Sequence, residues 1–265
     1  MCGARISLAF LSLVLTLRCV RVIIDVLYFD MVNAWFLTAL ASLFAVALGP
    51  MGDNMRIYFV RHGQSLGNAA RVLLGHTDLD LSELGYRQAR ATADAMRDFQ
   101  IDIIYSSDLK RAYNTALAHA EPRGIPVLPD ERLRESYLGE WENKSADWCA
   151  EHYPVDFSEC WIKRFGTFRF PGGESTGEVG ERIYRRVLEI CRENPEKNIL
   201  IVSHSVAIRS FFVRVMGASP EEAGERVPSP ANASYSVCEF DGERITVLEY
   251  SVDGHLAEIG ITKLS

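Results

Sequence analysis

Met55-Arg56-Ile57-Tyr58-Phe59-Val60-Arg61-His62-Gly63 sets a short apolar run directly before an arginine, a histidine and a glycine. A run this short and this apolar reads as a buried strand of a parallel sheet, with polar residues at its exit. In open α/β sheets the ligand crevice lies beyond the carboxyl ends of the strands, where the next helix turns its backbone N–H groups toward an anion. An Arg-His-Gly tripeptide also recurs by chance, and a surface turn would use it equally well. The reading therefore depends on what else arrives at the same edge.

Downstream the apolar pattern alternates between strand-like and helix-like, as a parallel sheet with crossover helices requires. Ser82 is placed to cap a helix through about Phe99, with Leu84, Ala91, Ala95 and Phe99 on one stripe. Ile101 to Tyr105 reads as a buried strand, Asp108 opens a helix toward Ala120, and Ile125 to Leu128 is another short strand. After the turn Pro171-Gly172-Gly173, Ser175-Thr176-Gly177-Glu178 has the form of a capping box and starts a helix through about Arg192. Asn198 to Ser203 is the clearest strand, and a helix from Ser205 to Met216 follows it. Tyr235 to Phe240 and Arg244 to Tyr250, joined through Asp241-Gly242, read as a closing hairpin. The fold class expected is α/β in three layers, a mostly parallel central sheet with helices on both faces.

Three strand exits then carry suggestive residues: Arg61 and His62, the stretch from Ser106 to Arg111, and His204. Strands of one parallel sheet share a direction, so two arginines and two histidines can converge on a single crevice. Arginine offers a planar fork of donors matched to phosphate oxygens.

The 265 residues, 48% hydrophobic and 24% charged, allow one sizeable core or a smaller core with an appendage. The second fits better. The first 54 residues carry three basic and three acidic residues and are otherwise largely apolar, while residues 55–265 hold 25 basic against 32 acidic. This acidic domain has no lysine or arginine run, hence no electrostatic footprint for nucleic acid, and a few local arginines must hold any anionic ligand. Six cysteines without a Cys-x-x-Cys pattern point to a reducing, cytoplasmic compartment. Cys149, His152 and Cys160 lack a second close pair, so no metal site is expected there.

Residues 1–54 admit three readings. A secretory signal would use the run from Ile6 to Leu17, but no small-residue cleavage site follows it. A membrane anchor would use residues 31–48, an uncharged run of 18 residues and the one candidate contact with a membrane. The third reading, which the short connector Gly49 to Asn54 favours, takes Met55 as the natural start of a catalytic domain over 55–265.

The ordered motifs resemble the histidine phosphatase superfamily, with its phosphoglycerate mutase-like fold. They are Arg61-His62-Gly63-Gln64-Ser65 with Asn68, Gly75 to Asp78 with Leu81 to Gly85, and Ser106 to Ala112 with Thr115-Ala116. Leu133-Arg134-Glu135 through Trp141, Pro171 to Ser175, and Val202-Ser203-His204 complete the set. The resemblance spans nearly all of residues 55–265. It implies that His62 is a nucleophile that becomes transiently phosphorylated, attacking through one nitrogen while the other is held by a hydrogen bond. Arg61 would keep that imidazole neutral by like-charge repulsion. Arg61 and Arg111 correspond to phosphate clamps, His204 to a third donor and Asn68 to a further amide donor, with no metal or other cofactor needed. Glu135 corresponds to the general acid that protonates the leaving alkoxide and then activates water, with Glu140 and Glu142 as nearby rivals.

Three positions depart from the family pattern: Gln64 where glutamate is frequent, Ser205 where glycine is common after the histidine, and Asn143-Lys144 in place of Glu-Gly. The aromatics between Trp141 and Phe170 belong to a segment that covers the site in this family, and Lys163, Arg164 or Arg169 could read a second anionic group. The activity implied is metal-independent hydrolysis of a small phosphorylated metabolite. A cofactor-dependent phosphoglycerate mutase is the alternative, although the Glu-Arg-His-Tyr-Gly run of the mutases is replaced here by Leu-Arg-Glu-Ser-Tyr-Leu-Gly around Glu135. A non-catalytic binding module on the same fold ranks last, because it predicts loss of one of the five core groups.

Overall fold

The computed structural model describes residues 55–154, 165, 166 and 168–262. The extension 1–54 with its candidate membrane run 31–48 lies outside them, and so do Cys160, Lys163 and Arg164. No helix among the described residues is long and apolar enough to cross a membrane.

The strands β1 (Met55–Arg61), β2 (Ile103–Ser106), β3 (Val127–Pro129), β4 (Ile199–Ser203), β5 (Tyr235–Phe240) and β6 (Ile245–Val252) form one sheet in the order β3-β2-β4-β1-β5-β6. β4 runs parallel to β1 and β2, and β3 parallel to β2; the closing hairpin adds β5 antiparallel to β1 and β6 antiparallel to β5. The helices are α1 (Leu66–Ala69), α2 (Glu83–Ala95), α3 (Lys110–Ala120), α4 (Ala146–His152), α5 (Thr176–Glu193), α6 (Ser205–Val215) and α7 (Ala223–Arg226).

Alternate residues of the central strands point to opposite faces, and both faces are covered. Ile57, Phe59, Ile199 and Ile201 pack against Ile183, Val187 and Ile190 of α5 and Phe211 and Phe212 of α6. Tyr58, Val60, Leu200 and Val202 pack against Ala112, Ala116 and Ala120 of α3 and Met96 just beyond α2. This two-sided burial explains the continuous apolar run of β1. The capping box at Ser175 and Glu178 forms as expected.

Two helices differ from the sequence reading. Ser82 does cap α2, its Oγ accepting from Gly85 N at 3.1 Å, but the helix stops at Ala95. Its buried face is Gly85, Gln88, Ala89, Thr92 and Ala93, whereas Ala95 is exposed. Apolar periodicity missed this face because two of its residues are polar and bury only with partners. Gln88 Oε1 accepts from Gln64 N at 2.8 Å, and Thr92 Oγ1 donates to Ala233 O at 2.7 Å. Helix α3 begins at Lys110, because Asp108 pairs with Arg134 and the Lys110 N–H is satisfied from outside by Asp78 Oδ1 at 2.8 Å.

His119 on the inner face of α3 is fully buried, and neither ring nitrogen has a hydrogen-bond partner. Burial, then Arg123 and His255, pull its pKa from 6.5 down to about 3. Below pH 6.5 the unfolded chain therefore takes up a proton that the folded chain refuses, and stability present above 6.5 is lost as the pH falls toward 3. This one group is expected to lower the unfolding free energy by up to about 1.4 kcal/mol per pH unit in that window. Urea titrations between pH 6 and 4 should give a shallower slope for His119→Leu, with the remaining slope left to other groups. An unchanged slope would remove His119 as a source.

Candidate active site

The exits of β1 and β4 lie side by side, since Arg61 is in register with Ser203. The next residues, His62 and His204, therefore stand as neighbours with ring centroids 5.1 Å apart, and His62 N donates to Ser203 O at 3.0 Å. Beyond His62 the chain turns tightly against α2. A Cβ on Gly63 would lie 2.4 Å from Gly85 O and one on Gly85 2.0 Å from Gln64 O, so backbone approaches backbone where side chains do not fit. Gly63 N donates to Thr115 Oγ1 of α3 at 3.0 Å, tying the turn to a second helix.

His62 Nδ1 lies 2.7 Å from Gly63 O, and a carbonyl can only accept, so Nδ1 carries the proton. The Nε2 lone pair is then the reactive end. Burial is the largest cause holding the His62 pKa well below 6.5, followed by the charges of Arg111 and Arg61. The flanking arginine thus contributes as expected, but it ranks behind burial and behind Arg111. His204 is held low by the same burial and by Arg111. Its ring nitrogens have no hydrogen-bond partner.

Arg111 stands in the first turn of α3, where Nη2 donates to Gly75 O at 2.7 Å and Nη1 to Thr77 O at 2.9 Å. Arg61 Nη1 donates to Pro230 O at 2.5 Å. Burial lowers each guanidinium to about 10, offset by the carboxylate of Glu135, and both remain charged at neutral pH. Glu135 sits at the start of α6, accepting from Ser136 N at 2.9 Å, Val206 N at 3.1 Å and Ala207 N at 3.0 Å. Its backbone carbonyl is held by His76 Nε2 at 2.9 Å and Arg182 Nη2 at 3.3 Å.

Arg61, His62, Asn68, Arg111 and Glu135 line one pocket, together with Ser205 and an apolar wall that includes Leu138 and Phe170. His204 is not among the lining residues and lies behind, against His62. A neutral imidazole, two cations and a carboxylate facing one small space suit transfer of a phosphoryl group.

Residues 57–253 match the histidine phosphatase superfamily (branch 1). The chain belongs to this superfamily. It is 32% identical to phosphoserine phosphatase 1 of Hydrogenobacter thermophilus over 77% of this chain and 95% of that protein. It is 37% identical to the probable phosphoglycerate mutase GpmB of Yersinia pestis over 65% of this chain and 80% of that protein. Among solved structures, a mycobacterial glucosyl-3-phosphoglycerate phosphatase superposes with a TM-score of 0.69 at 28% identity, covering 75% of this chain and all of that one.

In this histidine phosphatase the rival carboxylates are occupied elsewhere. Glu140 accepts from Tyr153 OH at 2.5 Å, and Glu142 accepts from His76 N at 2.7 Å and Thr77 Oγ1 at 3.3 Å. Glu142 therefore braces the loop that carries the carbonyl partners of Arg111. Arg169 is paired with Glu178 and donates to Gly173 O, away from the pocket. Gln64 accepts from Ser82 Oγ at 2.7 Å and serves the cap of α2. Ser205 lines the pocket, as its place after His204 implies. Asn143 adopts φ +62, a left-handed conformation that asparagine tolerates better than most residues. Of the aromatics between Trp141 and Phe170, Trp141, Phe165 and Phe168 pack into a separate small core with Cys149, while Phe170 also reaches the pocket. Cys149 is a free buried thiol, and His152 Nδ1 faces Trp148 O at 2.9 Å.

Sequence reasoning missed Gln88, Arg182 and Asn232. Each acts on backbone or on another side chain far away in sequence. Only Gln88 left a signal, a polar residue on the buried face of a helix.

Proposed function

We propose that this histidine phosphatase is a phosphomonoesterase that hydrolyses a small phosphorylated metabolite through a phosphohistidine at His62. The observation that carries the reading is the Nδ1–Gly63 O bond, which leaves Nε2 as nucleophile in a pocket walled by Arg61, Arg111 and Glu135. The N–P bond forms as the P–O ester bond breaks, the arginines offset charge on the equatorial oxygens, and Glu135, whose carboxylate takes up a proton when the phosphate dianion binds beside it, gives that proton to the leaving alkoxide. Water then attacks phosphorus, Glu135 takes its proton, and orthophosphate leaves with Nε2 restored. Relatives named for phosphoserine and glucosyl-3-phosphoglycerate support a small phosphorylated substrate. The reading assigns no part to a metal, and it places the domain in the cytoplasm, where the buried free thiols Cys149, Cys191 and Cys238 stay reduced.

The relative named as a probable phosphoglycerate mutase keeps a second reading open, in which the phosphoryl group returns to a bound acid. One experiment separates the two. The full chain is incubated with 4-nitrophenyl phosphate in EDTA, and separately with 3-phosphoglycerate primed by 2,3-bisphosphoglycerate. Steady release of orthophosphate that EDTA leaves unchanged is the expected outcome. Conversion to 2-phosphoglycerate without orthophosphate would replace this reading with the mutase.

A further inference from the structure

Asn232 is almost completely buried and lies in the segment just before β5, 170 residues from the nucleophile. Its Nδ2 donates to two acceptors, His62 O at 3.1 Å and Asn68 Oδ1 at 3.1 Å. Asn68 Oδ1 also accepts from Ser65 N at 3.1 Å. The outer partners of this chain of bonds are backbone groups whose roles cannot invert: a carbonyl accepts and an amide N–H donates. His62 O therefore fixes which end of the Asn232 amide faces inward, and Ser65 N fixes the Asn68 amide in the matching sense. With Oδ1 engaged from both sides, Nδ2 is the end of Asn68 left for the pocket that this residue lines. On the far side, Asn232 Oδ1 accepts from Thr262 Oγ1 at 3.1 Å and Asn232 N donates to Thr262 O at 2.9 Å. Gln88 Nε2 holds the same C-terminal stretch through Gly260 O at 2.7 Å.

We infer that Asn232 is a positioning residue: it locks the Asn68 amide with its amino end toward the transferring phosphoryl group. The inference rests on the phosphatase reading, in which Asn68 donates to a phosphoryl oxygen. Without Asn232, only Ser65 N would hold the Asn68 amide in that sense.

Asn232→Asp places a carboxylate oxygen where Nδ2 donates, facing two acceptors, and drives the Asn68 amide to turn over. The experiment is a double-mutant cycle on the full chain with Asn232→Asp, Asn68→Ala and both together. It reads kcat and KM for 4-nitrophenyl phosphate and, separately, the dissociation constant of orthovanadate. Asn232→Asp is expected to lower kcat/KM and weaken vanadate by about 10- to 100-fold, and by less than about 3-fold once Asn68 is alanine. Additive losses would overturn the inference, because a merely structural role acts whether or not the Asn68 amide is present. Asn232→Ser, which removes the bridge and keeps a small polar group, enters the same cycle if the aspartate variant does not fold. Failure of both to fold would assign Asn232 to the scaffold and also overturn the inference. A wild type without turnover would sink the phosphatase reading, and the vanadate affinities would still decide the role of Asn232.

Discussion

His62→Ala is expected to lower kcat for 4-nitrophenyl phosphate by at least about 10⁴-fold. Loss of the imidazole removes the covalent route altogether, since water in its place lacks both the fixed position behind phosphorus and the lone pair that Gly63 O leaves available. The arginines and Glu135 would remain, so residual phosphate binding with almost no turnover is the signature, read by vanadate affinity beside steady-state rates. The same histidine sets a pH expectation. The neutral ring is the reactive form, and burial with Arg111 and Arg61 holds its pKa well below 6.5. Protonation of His62 therefore removes activity only at pH values well below 6.5, and kcat/KM should show no acid limb near 6.5 from this group. Turnover in the variant within about 100-fold of wild type would overturn His62 as nucleophile.

Glu135→Gln is expected to separate substrates by their leaving groups. An alkoxide needs a proton as the P–O bond breaks, so hydrolysis of an alkyl phosphate should fall by about 10³-fold. A nitrophenolate leaves unassisted, so phosphorylation of the enzyme by 4-nitrophenyl phosphate should fall by less than about 10-fold. Hydrolysis of the phosphohistidine still lacks its base. Stopped-flow traces should therefore show a burst of nitrophenol equal to the enzyme concentration, then slow turnover. The amide can accept at one end only, while the carboxylate accepts from Ser136, Val206 and Ala207 through both oxygens. A loss of about 1 kcal/mol in stability should accompany the kinetic effect. Equal slowing of both substrates without a burst would remove Glu135 from proton transfer.

The candidate site residues were readable because most stand at the end of a regular element: Arg61 closing β1 with His62 just beyond it, Arg111 at the start of α3, His204 after β4. Parallel strands bring such ends together without long-range knowledge. What holds them was not readable. Gln88 and Thr92 bury a polar helix face that apolar periodicity treats as solvent, and the stripe drawn through Ala95 was wrong for that reason. Asn232 reaches His62 across 170 residues, and Arg182 reaches Glu135 across 47. Such bonds follow from tertiary geometry alone and leave no local spacing. Glu135 could be named, but its seat on the first N–H groups of α6 depended on how two loops meet.

Strand β1 pairs on one side with Ile199–Ser203 and on the other with Tyr235–Phe240. Both neighbours are made late. While the ribosome is still short of residue 199, a strand with five of its seven residues apolar lacks both of its sheet neighbours, and His62 just beyond its end lacks the Ser203 carbonyl that holds its backbone. Closing loops of this length carries a large entropic cost before any contact repays it, which slows folding. Until residue 199 has been made, the chain holds this apolar segment without either of its sheet neighbours. A chain cut before residue 235 would leave one whole edge of its central strand unpaired, because that strand finds its partners so far along the sequence.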